Sequence, residues 1–147
     1  MNAALTEGKK IKGRKRHIAV DSMGNMLWVV VHGANIHDTK SGFFPALGAS
    51  VVFPSIQKFY ADAGYRGTFV AEVADNMGLE VDIVARNRTK SWEILPKRWI
   101  VERTFAWLNN SRRLSKDYEK TTASEEAMIR ISHIHTLIKR LRIQPLN

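Results

Sequence analysis

The chain has 147 residues, 44% of them hydrophobic, which suits one domain with a buried core and excludes a disordered polypeptide. It has no cysteine, which excludes a disulfide scaffold and any thiolate metal site, and no apolar run long enough to cross a bilayer. The formal charge of +9 calls for a polyanionic partner, but it is unevenly spread: residues 1–16 sum to +5, residues 17–84 to −4 and residues 85–147 to +8.

Residues 1–15 are polar and basic and read as an N-terminal arm; residues 16–142 read as the domain, and residues 143–147 as a tail. Arg16–Asp21 has the alternation of a strand, Ser22–Asn25 is turn chemistry, and Met26–His32 is a second strand, so the two make a hairpin. A loop, G-A-N-I-H-D, leads to a helix expected from Asp38 to about Leu47 despite Pro45. Gln57–Ala61 is a short central strand that ends in Asp62-Ala-Gly-Tyr-Arg-Gly67. Thr68 then caps a helix reaching about Met77, which Gly78 ends. Leu79–Ala85 alternates as another strand, and Arg86–Glu93 is a basic loop.

Pro96 suits the first turn of a helix reaching Leu108, in which Ile100, Val101, Phe105 and Leu108 recur at helical spacing and form a buried face. A basic stretch follows, and then a last helix with Ser124 as its N-cap and Glu125 and Glu126 in its first turn. Its apolar set, Met128, Ile131, Ile134, Leu137 and Ile138, is expected to be its packing face. The order β-β-α-β-α-β-α-α predicts an α/β domain with a mixed sheet.

An acidic centre between basic flanks suits an enzyme that holds a cation centrally and phosphates around it. A ribosomal or chromatin-type binder has little reason for the acids. Two of them stand out. Asp62 lies where a strand gives way to a glycine-containing turn, the usual place for a functional residue in an open α/β sheet. Glu102 is the one acid of the Pro96–Leu108 helix, with Arg98 one turn before it and Arg103 beside it. A carboxylate at a strand end and another on a facing helix suit Mg²⁺, which takes a few carboxylate oxygens and keeps water for phosphate substrates. Taken alone, spacing leaves the alternative of two unrelated surface acids. The five histidines lack zinc spacing and read as structural or surface groups. Trp92, Trp99 and Trp107 read as core and interface, and the glycines after Asp62 do not form a P-loop, because no G-K-[ST] follows.

Three segments, K-G-R-K-R-H-I-A-V-D-S-M-G-N, Y-A-D-A-G-Y-R-G and L-P-K-R-W-I-V-E-R-T-F-A-W-L, together resemble the catalytic domain of DDE-type bacterial insertion-sequence transposases. The resemblance runs from about Gly8 to about Leu141. It implies an RNase H-like mixed sheet with flanking helices, and DNA strand cleavage and strand transfer at a two-metal Mg²⁺ or Mn²⁺ site. It makes Asp62 and Glu102 the second and third acids of the triad, with Arg98 at the family's basic position on the helix. The tyrosine and lysine that some relatives carry around the glutamate fall at Leu95 and Asn109, so the extended signature is incomplete. The family's first aspartate lies on a strand upstream of the basic hairpin. Here the expectation is that this first strand and its acid are missing and that an upstream transposase segment supplies them. Asp21 is disfavoured as a substitute because it sits by the turn.

The resemblance further implies that transposon ends and target DNA are the partners, that the active complex contains several copies, and that no membrane is involved. The expected location is cytoplasmic, with the nucleoid. Lys12, Arg14, Lys15, Arg16, Arg98, Arg103, Arg112 and Arg113 are the candidate DNA contacts. The alternative is a catalytically inactive DNA-binding remnant of a transposase.

Overall fold

The computed structural model describes residues 1–7, 13–33, 41–84, 97–116 and 118–143. The strands are β1 (Asn2–Glu7), β2 (Arg14–Val20), β3 (Met26–Gly33), β4 (Lys58–Asp62) and β5 (Glu80–Val84). They form one sheet in the order β3-β2-β1-β4-β5. β1 is antiparallel to β2 and parallel to β4, and β4 is parallel to β5, so the sheet is mixed as expected. The helices are α1 (Phe43–Val52), α2 (Thr68–Met77), α3 (Arg98–Asn109) and α4 (Thr122–Ile143), with 3₁₀ turns at Ala63–Tyr65 and Arg112–Leu114.

The two faces of the sheet are covered by different helices. Alternation along β2 sends Ala19 to one side and Ile18 and Val20 to the other. On the first side Ala19, Phe59 and Ala61 pack against Ala46 and Ala49 of α1 and Phe69 and Val73 of α2. On the second side Ala4, Ile18, Val20, Val29 and Val31 pack against Val101 and Leu108 of α3, Leu114 and Ile129.

The first strand is the main correction. Residues 2–7, expected to belong to an arm, are the central strand, so the sheet is not missing a strand at that place. N-A-A-L-T-E has little strand propensity of its own. Ladders on both sides, Ala4 opposite Val20 and Ala4 level with Tyr60, hold it extended. Pairing overrides local preference here. The edge strands are therefore β3 and β5, and the Met26 and Val31 N–H groups of β3 donate to His133 and Glu126 of α4.

Smaller shifts have local causes. α1 begins at Phe43, which puts Pro45 in its first turn, where a missing N–H costs no helical hydrogen bond. Part of the expected 38–47 helix lies outside the described residues. α2 ends, as expected, at Gly78 in the left-handed conformation (φ +63°). α4 starts earlier than expected: the Thr121 hydroxyl accepts the Ser124 N–H at 3.1 Å, so Thr121 is the cap in place of Ser124. The face of α4 is also different. Glu125, Ile129 and His133, four apart, are buried, while Ile131, Ile134 and Ile138 are exposed. Among the described residues no helix is long and apolar enough to cross a membrane.

Candidate active site and nucleic-acid interface

Asp62 is the last residue of β4 and caps the 3₁₀ turn that follows: its Oδ1 accepts the Gly64 N–H at 2.8 Å. A Cβ at Gly64 would stand 3.0 Å from that same oxygen, so a side chain at 64 would displace the carboxylate by a few tenths of an ångström. Tyr60, two residues earlier on the same strand face, packs with Val101 and Leu108 of α3. By strand alternation Asp62 is thus on the α3 side of the sheet.

Glu102 is exposed on α3, whose inward positions are Val101, Thr104 and Leu108. The expected buried face holds, with Ile100 and Phe105 half-buried against the same cluster. Two anchors fix the lie of α3. At its start the Lys97 ammonium stands 3.2 Å from the centroid of the Tyr60 ring, a cation–π contact that ties the helix to β4. Beyond Glu102, the Thr104 hydroxyl donates to the Gly24 carbonyl at 2.8 Å and Arg103 donates to the Met23 carbonyl at 2.8 Å. Gly24 allows this approach twice over, with φ +81° and with Arg103 and Thr104 atoms 3.0 Å from where a Cβ would be. Glu102 lies between the two anchors, on the same side of the sheet as Asp62.

The two acids are oxygen donors, the ligand type for Mg²⁺ or Mn²⁺ and not for a soft ion. Among the described residues no group of three or more His, Cys, Asp or Glu could hold a metal ion. Asp21 is accounted for elsewhere. Its Oδ1 accepts the N–H groups of Met23 and Asn25 at 2.9 and 2.8 Å, and its Oδ2 accepts the Asn25 amide at 2.9 Å. It builds the β2–β3 turn, in keeping with its being disfavoured as a ligand.

The basic residues divide. Arg16 is buried and pairs through Nε with Glu125, while its Nη1 donates to the Leu114 carbonyl at 3.2 Å. Arg14 donates to the Glu119 and Lys120 carbonyls, each at 2.9 Å, and to Glu125 at 3.1 Å. Lys15 is 8% exposed. Lys15 and Arg16 are buried and Arg14 is half-buried, contrary to the expectation that all three contact DNA; Arg14 and Arg16 fasten the 114–125 segment to the sheet. The run Arg14-Lys15-Arg16 did not reveal that two of its members pair with Glu125, because that partner is about 110 residues away. Arg103 is sandwiched between Trp99 and Trp107, 4.2 and 4.7 Å from the ring centroids. Arg112 and Arg113 are exposed on the second 3₁₀ turn, Arg113 paired with Glu119 at 2.8 Å. That hydrogen bond holds the Glu119 carboxyl below its ordinary value. Lys12 and the Arg98 side chain lie outside the described residues, as does Trp92.

Three partnerships escaped sequence reasoning: Lys97 on Tyr60, Glu125 with Arg14 and Arg16, and the buried His17 and Tyr65 with the half-buried His32. The His17 Nδ1 and the Tyr65 hydroxyl are 2.6 Å apart, and the His17 ring stacks on His32 with centroids 4.6 Å apart. The apolar strand around His17 and the tyrosine soon after Asp62 were visible, but only the fold joins them. His133, read as structural or surface, is structural: its Nε2 accepts the Met26 N–H at 3.0 Å.

Comparison with known proteins bears on this arrangement. The family model described as the transposase DDE domain matches residues 4–137. The transposase assigned to insertion sequence element IS402 of Burkholderia cepacia is 30% identical over 128 residues, 81% of this chain and 60% of that protein. The chain thus spans about three fifths of that relative's length. Among solved structures, the catalytic core domain of BIV integrase superposes with a TM-score of 0.55 at 10% identity, covering 90% of this chain and 80% of that one. A chain of the simian T-cell lymphotropic virus intasome in complex with PP2A regulatory subunit B56 gamma gives 0.57 at 13%, covering 90% of this chain and 45% of that one. At such identities the likeness concerns the fold, which is the RNase H-like fold expected.

Proposed function

The chain belongs to the transposase DDE domain family, and from that premise we propose that it carries out metal-dependent cleavage and strand transfer of an insertion sequence. The observation that carries this reading is the placement of Asp62 and Glu102 on one side of the sheet, with α3 fixed at both flanks of Glu102. In this reading the two carboxylates would hold Mg²⁺ or Mn²⁺, the ions of a two-metal site. The ions would supply Lewis acidity at phosphorus and lower the pKa of the attacking hydroxyl. Asp62, steadied by the Gly64 N–H, and Glu102 orient the scissile phosphodiester. Water attacks phosphorus and the P–O3′ bond breaks, leaving a 3′-hydroxyl and a 5′-phosphate. The 3′-hydroxyl then attacks a target phosphodiester, forming one P–O bond for each one broken, so no external energy source is needed.

Arg112 and Arg113, with Lys12, Arg98 and Arg103, position the duplex by its phosphates. Transposon ends and target DNA are the partners, at the nucleoid, in a complex of several copies. A DNA-binding remnant without catalysis is the second reading, and one observation favours it. Continuing the β1–β4 register by one residue brings Thr6, a residue without a carboxylate, level with Asp62, so β1 does not supply there the first acid that the resemblance implies. An upstream transposase segment supplying that acid would reconcile the two.

Nicking of supercoiled plasmid separates the readings. Catalysis predicts open circles in Mg²⁺ or Mn²⁺, none in chelator, and none from Asp62→Ala or Glu102→Ala. No nicking, together with DNA binding that weakens with salt at a log–log slope of about −0.9 per phosphate neutralised, would establish the remnant.

A further inference from the structure

We infer that Tyr65 and His17 are positioning residues for Asp62, acting through the 3₁₀ turn that joins Tyr65 to the carboxylate. The inference rests on the reading of Asp62 as a metal ligand and adds to it what holds that ligand in place.

Asp62 ends its strand half-exposed, and a short turn, Ala63–Tyr65, is all that follows before an extended Arg66 and the bend at Gly67. A carboxylate at such a place moves with its turn. The turn is not loose, because its last residue is locked into the core. Tyr65 is 1% exposed, its ring tilted against Phe69 of α2 with centroids 5.3 Å apart. A Cβ at Gly42, just before α1, would collide with the Tyr65 ring, so α1 closes over it. On the third side the Tyr65 hydroxyl meets the Nδ1 of His17, itself fully buried in β2, at 2.6 Å. The His17 ring is in turn backed by the stacked His32 of β3.

The turn that carries Asp62 is thereby pinned to β2 and β3, two strands beyond its own neighbour β1 in the sheet. The Asp62–Gly64 hydrogen bond lies inside the pinned turn, with Gly64 directly before Tyr65. Loss of the hydroxyl link would let the turn rotate about Phe69 and spread the orientations of the Asp62 carboxylate. Supporting partners of this kind set metal affinity by orienting the ligand, without touching the ion. Tyr65 and His17 lie on the α1–α2 side of the sheet, opposite Glu102, so neither has a direct role at phosphate.

The test is Mn²⁺ binding by the full chain, with free Mn²⁺ read by electron paramagnetic resonance. Wild type, Asp62→Ala, Tyr65→Phe, His17→Leu and His17→Gln are compared, each with its thermal melt. Tyr65→Phe keeps the ring in the core and removes only the hydroxyl. The inference predicts Asp62-dependent binding in wild type, weakened about 10-fold by Tyr65→Phe with a cooperative melt retained. His17→Leu reproduces the loss from the other end of the bond, and His17→Gln, which keeps a polar partner for the hydroxyl, restores most of it. Tyr65→Phe and His17→Leu variants that bind Mn²⁺ as wild type does, while Asp62→Ala does not, would overturn the positioning role and leave the metal reading standing. Binding that survives Asp62→Ala would overturn that reading and this inference with it.

Discussion

At the scale of single residues, the charges that the sequence displays are used in two ways. Glu125 is 2% exposed and receives both Arg16 and Arg14, and four backbone carbonyls, of Leu114, Glu119, Lys120 and Thr121, accept from the same guanidinium groups. Such a buried cluster holds together only because each charge is matched and hydrogen-bonded. It converts two residues of a basic run into a clasp, and it leaves Arg112 and Arg113 outside on the segment that is clasped. His133 makes the contrary case of a buried group kept neutral. Burial first, then the charge of Arg140, push its pKa below the ordinary 6.5, with Asp21 opposing. The folded chain therefore resists a proton that the unfolded chain accepts, and stability rises with pH through this range. The melting temperature should be level above about pH 7 and fall as the pH drops below 6.5, and His133→Gln should flatten that fall. A His133→Gln variant with the wild-type acid slope would show that another group carries it.

At the scale of elements, legibility followed locality. The β2–β3 hairpin, α2 with its Gly78 stop, and the apolar face of α3 were all readable, since turn chemistry, caps and period act within a few residues. β1 was not readable, because its identity comes from two ladders supplied by β2 and β4. α4 was readable as a helix and misread as to face. Its buried line contains Glu125 and His133, which look like surface residues until Arg16 and the Met26 N–H are seen beside them. Three isoleucines that looked like core are outside: Ile131, Ile134 and Ile138 are 57, 54 and 49% exposed, and with Leu141 at 73% they recur at spacings of three and four. Such a stripe matches the seam of a helix pair. Its first residue also borders a groove of about 440 Å³ lined by Trp107, Met128 and His135. If the multi-copy complex is built on this stripe, light scattering should show an oligomer that Ile134→Glu returns to monomer with no loss of melting temperature. An oligomer indifferent to that charge would place the contact elsewhere.

At the scale of the whole molecule, the division of charge found along the sequence becomes a division in space only in part. Asp62 and Glu102 are brought to one side of the sheet, and Arg14 and Arg16 of β2 turn inward to fasten the fold. The order of motifs carried the family and the fold. It could not carry the packing of Lys97 on Tyr60 or the bond between His17 and Tyr65, which join positions 37 and 48 residues apart. The central claim is that the two carboxylates act as one metal site, and a double-mutant cycle on plasmid nicking tests it most directly. Groups that act as a unit are strongly non-additive. Asp62→Ala and Glu102→Ala should each remove Mg²⁺-dependent nicking, and the double variant should be no worse than either alone. Two partial losses that multiply in the double variant would contradict a shared site.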